Sequence, residues 1–134
     1  MSAITDILEY IAAESAAALT AQGISLRVQF GPLPADESVS IAYASGAVDT
    51  TYQDKGISYE LSLVCNSKSK DQQLALESLA TIHRALTQTK TYREIPTWQI
   101  CDVATESTPN YIGREERDQF LYGSSLRVRA YVKN

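Results

Sequence analysis

Apolar residues recur at three- and four-residue intervals in two stretches of the chain, and this spacing predicts two amphipathic helices. The first covers residues 4–21, is rich in alanine, and is expected to end at Gly23. The second starts after Ser69, which has Gln72 at the spacing of a capping box, and continues to about Thr89. Each helix therefore has one apolar side that needs a partner to cover it.

Apolar and polar residues alternate with period two in five other stretches, which predicts five β-strands. The predicted strands are 26–30, 39–43, 57–65, 97–103 and 120–132. In the last of them Leu126 and Val128 fall on one face, and Arg127 and Arg129 fall on the other. A strand with one apolar face is typical of a sheet that is covered on one side only.

The segment from Ala44 to Gly56 is long and polar, so it is predicted to be a loop and not a tight hairpin. We expect this loop to be mobile in a free subunit and to become ordered against a neighbour. The element order α-β-β-β-α-β-β indicates an α+β fold in which two helices cover one face of a single, mostly antiparallel sheet. At 134 residues, the chain is expected to form one domain that spans residues 1–134.

The charge distribution argues against tight nucleic-acid binding, because the net charge is −4 and phosphate contacts need clustered Lys and Arg. Residues 1–66 hold eight acidic side chains against two basic ones, whereas residues 67–134 hold ten basic against eight acidic. No apolar run is long enough to cross a membrane, and the amino-terminal residues do not resemble a signal peptide. The protein is therefore expected to fold in a cytoplasm.

Few residues offer catalytic or metal-binding chemistry. His83 is the single histidine, and it lacks a second ligand at metal-binding spacing. Cys65 and Cys101 are expected to be reduced thiols in or near the core. The sequence contains neither a phosphate-binding glycine loop nor a Gly-x-Ser-x-Gly turn. We therefore predict no catalytic residue, no cofactor and no metal site.

The segment from Thr108 to Val132 resembles the carboxyl end of the tail terminator, or minor capsid, proteins of long-tailed bacteriophages. Pro109 to Arg114, with the sequence PNYIGR, is similar to a P-x-Y-I-G-R turn of that family. Tyr122, Leu126, Val128 and Tyr131 match its final strand, whereas Glu115 and the residues 116–118 depart from its pattern. The resemblance is specific in this segment and extends to the rest of the chain only as the order of elements.

The resemblance implies a virion component of the tail or neck that assembles in the host cytoplasm and performs no reaction. Such proteins form a ring, expected to be a homohexamer, on the last ring of the tail tube. They stop tube growth and offer a surface to the head-tail connector protein. The implied partners are other copies of the chain, the tail tube protein and the connector, with DNA only passing through the ring and no membrane. Another neck or head-completion protein, and a small cytoplasmic enzyme or ligand-binding domain, are the alternatives.

Loop tyrosines and charged residues are the candidates for contacts between subunits, since tyrosine is common in interfaces and charges set orientation. A basic patch and an acidic patch on each subunit would allow the head-to-tail contacts of a ring. Reversing Arg127 and Arg129 to Glu is expected to block the ring and to leave unfolding nearly unchanged. The interface candidates are Asp49, Tyr52, Asp54, Tyr111, Arg114, Arg127 and Arg129.

Overall fold

A computed structural model describes residues 3–31, 37–51, 56–88, 94–95, 97–114 and 118–133 of the chain. It contains two helices and six strands, so the predicted α+β class is confirmed. The elements in chain order are α1 (Ala3–Ala21), β1 (Arg27–Phe30), β2 (Ser38–Thr51), β3 (Ile57–Ser69), α2 (Gln72–Gln88), β4 (Glu94–Ile95), β5 (Trp98–Arg114) and β6 (Phe120–Val132).

The ends of the helices are fixed by local hydrogen bonds. At the end of α1, Gly23 has a φ of 72°, and the backbone N–H of Ile24 donates to the carbonyl of Leu19 at 2.9 Å. At the start of α2, Asp71 Oδ1 accepts from the backbone N–H groups of Gln73 and Leu74 at 3.1 and 3.3 Å. Asp71 is therefore the N-cap, in place of the predicted Ser69, which instead ends β3.

The sheet has the strand order β1-β2-β3-β6-β5-β4. All neighbouring strands are antiparallel except β1 and β2, which pair in parallel from Arg27–Ser38 to Phe30–Ile41. The two long hairpins, β2–β3 and β5–β6, meet where β3 pairs with β6 from Ile57–Val132 to Ser69–Phe120. The single mostly antiparallel sheet was thus predicted correctly.

Both helices cover the same face of the sheet, which we call the covered face. Leu61 and Leu63 of β3 lie on this face beside Val128 and Leu126 of β6, and all four are fully buried. Three residues of α1, Ile7, Ile11 and Leu19, and two of α2, Leu79 and Ile82, are equally buried in the same cluster. The other face, which we call the open face, carries the alternate residues of each strand, and no helix of the described chain packs on it.

Three predictions about strands need correction. Residues 44–51 belong to β2 and pair with β3 as far as Thr51–Ile57, so the predicted loop from Ala44 to Gly56 is wrong for these residues. Strand β5 continues past Val103 to Arg114, through the segment from Pro109 to Arg114 that was expected to form a turn. The two-residue strand β4 was not predicted at all. In β2 and β5, bulges interrupt the pairing and so disturb the alternation of side chains.

Candidate assembly surfaces

The open face carries a polar network around Arg127. The guanidinium Nε of Arg127 lies 3.3 Å from Glu60 Oε1, and both side chains are partly exposed. The hydroxyl of Ser62 donates to Glu106 Oε2 at 2.8 Å beside this pair. The depression between these side chains has a volume of about 320 Å³, and its lining comprises Ser45, Gly46, Glu60, Ser62, Glu106 and Arg127. Arg127 is thus already engaged within its own subunit.

Arg129 lies two residues further along β6 on the same face. In the pairing register, it lies opposite Glu60 of β3 and Asp102 of β5. Its Nε is buried and has no hydrogen-bond partner within the described residues. The open face therefore carries acidic residues next to the two arginines that the sequence analysis assigned to a basic patch, and that assignment stays a prediction.

The end of the β5–β6 hairpin presents aromatic residues to solvent. Tyr111 is 50% exposed, and its ring meets Tyr122 edge to face at a centroid distance of 5.6 Å. The guanidinium carbon of Arg114 lies 5.3 Å from the ring centroid of Phe120, and its Nη2 lies 2.9 Å from Asp118 Oδ1. Rigid aromatic rings beside an arginine are typical of the central contacts of protein interfaces.

The predicted interface residues do not form one group. Arg114 pairs with Phe120 at one end of the hairpin. Arg127 lies seven positions further along β6, about 23 Å away at the usual rise of a strand. Asp49 lies in the final part of β2, whereas Tyr52 and Asp54 lie outside the described residues. The structure therefore separates the predicted basic residues into a hairpin end and an open face.

Phe30 is an exposed residue that the sequence pattern did not single out. It follows the alternation of β1, and its register opposite Ile41 places it on the covered face. It is nevertheless 47% exposed, because β1 is the outermost strand on its side of the sheet. Alternation predicts the face of a residue but cannot show that the strand lies at an edge.

His83 joins α2 to the two strands beneath it. Its Nδ1 lies 2.9 Å from the hydroxyl of Thr105 in β5, and its Nε2 lies 2.7 Å from the hydroxyl of Ser124 in β6. Burial lowers the pKa of His83 below its usual value of 6.5, so the neutral imidazole is favoured. These contacts hold the helix on the sheet, as expected of a structural histidine.

The two cysteines occupy different environments. Cys65 is buried, and this burial raises the pKa of its thiol to about 12, so it is a poor nucleophile. Cys101 is exposed, so the prediction that it lies in or near the core is wrong. It lies at an irregularity of β5, between the pairs of Ile100 and Asp102, which explains why the alternation did not bury it. Both thiols are free.

Two adjoining grooves run between α1 and α2, with volumes of about 330 and 310 Å³, and Gln22, Thr81 and Arg84 line both. Asp71 and Glu77 also line the larger groove. In the part of the chain that the structure describes, no group of three or more His, Cys, Asp or Glu side chains is placed so that it could hold a metal ion. Neither described helix has the length and apolar character that crossing a membrane requires.

Comparison with known proteins gives a match of structure only. The sequence matches no protein-family model and no curated protein. The structure is similar to a chain in the virion of a native gene transfer agent particle, with a TM-score of 0.65 and 12% sequence identity. The match covers 98% of this chain and 99% of the other. The likeness between the two chains is therefore one of fold.

Proposed function

We propose that this protein is a structural component of a phage-like virion, and specifically a tail terminator that forms a ring on the end of the tail tube. The observation that carries the proposal is the end-to-end fold match to a chain of the gene transfer agent virion. The proposed work of the protein is self-association and docking, with the tube and the head-tail connector as partners.

The hairpin formed by β5 and β6 supports the finer assignment. The segment from Thr108 to Val132 that resembles tail terminators lies in this hairpin, and its end exposes Tyr111 and Ile112. Exposed aromatic and aliphatic residues are expected where a protein meets a neighbour. The resemblance and the exposed surface thus coincide in the same part of the molecule.

The titratable side chains favour a structural role over a catalytic one. Burial raises the pKa of Cys65 in β3 and lowers the pKa of His83 in α2, and both side chains are buried. Neither lines the grooves between the helices or the depression on the open face. Active sites usually bring shifted groups and a cleft together, and here they are separate.

The mass of the purified protein in solution tests the ring. Light scattering over a series of protein and salt concentrations is expected to show a transition from monomer to a single closed species, with six copies as the proposed number. A mass that grows without limit would indicate open filaments, which a terminator cannot form. A monomer under every condition, including in the presence of the tube protein, would contradict the proposal.

Tube growth distinguishes a terminator from another neck component. The tail tube protein of the same virus is polymerised with and without this protein, and tube lengths are measured by electron microscopy. A terminator is expected to shorten the tubes and to leave one ring of extra density on a tube end. Unchanged tube lengths together with binding to the isolated connector would assign the chain to head completion instead.

A further inference from the structure

The outer side of β5 has no described partner over most of its length. Strand β4 pairs only with the first two residues of β5, and no described strand continues its line along the sheet. The side-chain hydrogen bonds of Thr105, Glu106 and Ser107 run inward, to α2, β3 and β6 respectively. We call the outer side of residues 105–114 the β5 edge. An unpaired edge offers backbone N–H and C=O groups that an added strand can bind.

The position of α2 shows that the covered face is incomplete beside this edge. Gln72 Nε2 donates to the hydroxyl of Tyr122 in β6 at 2.8 Å, and His83 Nδ1 lies 2.9 Å from the hydroxyl of Thr105 in β5. Leu76 comes one turn after Gln72 and two turns before His83, so it shares the side of α2 that faces these strands. It is nevertheless 38% exposed, because no described strand lies beyond β5 at this level.

Three of the large hydrophobic residues that are exposed in the described chain therefore surround the β5 edge. Leu76 and Tyr111 lie on its covered-face side, since Tyr111 is opposite Tyr122. Ile112 lies on the open face, where its Cδ1 adjoins Gly123. Apolar side chains that remain in water on both sides of an unpaired edge favour a partner that covers both.

The open face beside the edge is acidic on balance. Glu60, Asp102 and Glu106 lie there with Arg127 and Arg129, so three carboxylates stand against two guanidinium groups. Asp102 and Glu106 belong to β5 itself, and both are exposed. An added strand directs every second side chain over this face, and opposite charges on neighbouring strands stabilise a sheet. Basic residues are therefore favoured at these positions of the added strand.

We propose that the β5 edge binds an extended segment of another virion protein, in which apolar residues alternate with lysine or arginine. Its apolar side chains lie against Leu76 and Tyr111, and its basic side chains point towards Glu106 and Asp102. Pro109 removes one backbone donor, which is usual on an edge strand, and keeps its carbonyl as an acceptor. This inference rests on the proposed docking function and names the surface and the chemistry of the partner.

The sequence argues against a second copy of this chain as the occupant. Two basic residues alternate with apolar ones in the stretch 126–130, which lies in the middle of β6. Strand β6 already pairs with β3 on one side and with β5 on the other, so it cannot be donated without opening the sheet. The matching segment is therefore expected in a different protein.

A synthetic peptide tests the site on the full chain. The probe has about eight residues, enough to span about 26 Å when extended, and alternates lysine with valine. Fluorescence anisotropy of the labelled peptide is expected to show binding, and amide hydrogen exchange is expected to slow in residues 105–114. A control peptide with glutamate in place of lysine should bind at least about tenfold more weakly. Absence of binding and of protection up to about millimolar peptide would overturn the inference.

A second control separates backbone pairing from attraction between side chains. A peptide of the same sequence that is N-methylated at each central residue keeps its charges and apolar groups but cannot donate backbone hydrogen bonds. It is expected not to bind measurably, because an added strand depends on these hydrogen bonds. Binding equal to that of the unmodified peptide would show that the probe does not add as a strand, which contradicts the proposal.

Substitutions locate the contact. Tyr111→Ser and Leu76→Ser are each expected to weaken binding of the probe by about tenfold, because each removes a large apolar contact. Phe30→Ser is the matched control, since Phe30 is also exposed but lies at the opposite side of the sheet, and it should leave binding unchanged. Thermal unfolding of the three variants checks that the fold is intact. Wild-type affinity in both Tyr111→Ser and Leu76→Ser would show that the site is elsewhere.

The remaining outcomes separate this inference from the proposed function. If the protein self-associates without peptide and Tyr111→Ser abolishes that association, the occupant is a second copy and the proposed partner is wrong. If the probe does not bind but the protein still shortens tail tubes, the inference is overturned and the proposed function stands. If the probe binds as expected but tubes are unaffected, the β5 edge is a docking site and the terminator assignment fails.

Discussion

Strands β5 and β6 pair with each other, yet they differ in how much of their length is buried and paired on both sides. Strand β6 has a partner on each side, and Leu126, Val128 and Ala130 are fully buried on its covered face. Strand β5 pairs with β6 along its length, but on its other side β4 pairs only with Trp98 and Gln99, and past Val103 none of the described residues of β5 is buried. The comparison shows that burial on one face, supported from both sides, is what makes a strand regular in sequence and in structure.

Removing a core side chain from β6 is expected to have the largest effect. Leu126→Ala should lower the free energy of unfolding by about 2–5 kcal/mol, because the cavity lies among packed residues. Urea unfolding of the monomer measures the change. Ser107→Ala on the exposed part of β5 is the control; it removes an exposed hydrogen bond to Ser125 and should cost no more than about 1 kcal/mol. Equal losses at the two positions would contradict the difference between the strands.

Charge reversal on the open face should have the next largest effect. Replacing both Arg127 and Arg129 by Glu places new carboxylates beside Glu60 and Asp102, and we expect a loss of about 1–3 kcal/mol. This outcome differs from the sequence-based expectation of nearly unchanged unfolding, because the structure shows that both arginines lie among acidic residues of their own subunit.

Arg114→Glu is the matched control for this charge reversal. Its side chain is more than half exposed at the end of β5, so the loss should stay below about 1 kcal/mol. Thermal unfolding at low protein concentration separates these effects from assembly. If reversing both arginines of β6 lowers the free energy of unfolding no more than reversing Arg114 does, the open-face network contributes little to stability.

A change of pH should alter the stability less than the substitutions above do. This pH effect should report on His83, which links β5 and β6 through its hydrogen bonds. His83 contacts Thr105 of β5 and Ser124 of β6, and its pKa in the folded protein is lowered by burial. The unfolded chain therefore binds more protons as the pH falls through the usual value of 6.5, and the folded state loses stability there.

His83→Gln should remove this contribution, since glutamine keeps polar groups but does not titrate. Urea midpoints of both proteins, measured from about pH 8 to about pH 5, give the comparison. The wild type is expected to lose stability relative to the variant as the pH falls below the usual value for histidine. A constant difference across the series would mean that the imidazole titrates as it does in the unfolded chain.

The sequence predicted the interior of this fold better than its sides. The bounds of β6 and the shared face of Leu126 and Val128 followed from alternation, and both helices followed from the three- and four-residue spacing of apolar residues. The continuation of β2 past Tyr43 was missed because small and polar residues there alternate weakly and two bulges shift their register. The continuation of β5 past Val103 was missed as well, because its exposed residues do not alternate between apolar and polar.

The candidate surfaces were only partly predictable. Tyr111 was identified because a loop tyrosine needed a partner, and it is exposed at a hairpin end. The sequence could not show that Arg127 meets Glu60, because the two residues lie far apart in the chain and meet only through the register of β3 and β6. For the same reason, the position of Phe30 at the side of the sheet depends on a strand order that no local pattern encodes.

The pairing of β3 with β6 also constrains how the chain reaches its native state. Each hairpin can form from residues that are close in sequence, but the ladder between β3 and β6 joins the middle of the chain to a strand that is synthesised much later. Contacts between distant segments form slowly, because a long loop must close before they stabilise anything. Until β6 is synthesised and pairs with β3, one edge of β3 has no partner, and Leu61 and Leu63 lack their neighbours Val128 and Leu126. Nascent chains should therefore be most prone to aggregate in the interval between the synthesis of these two strands.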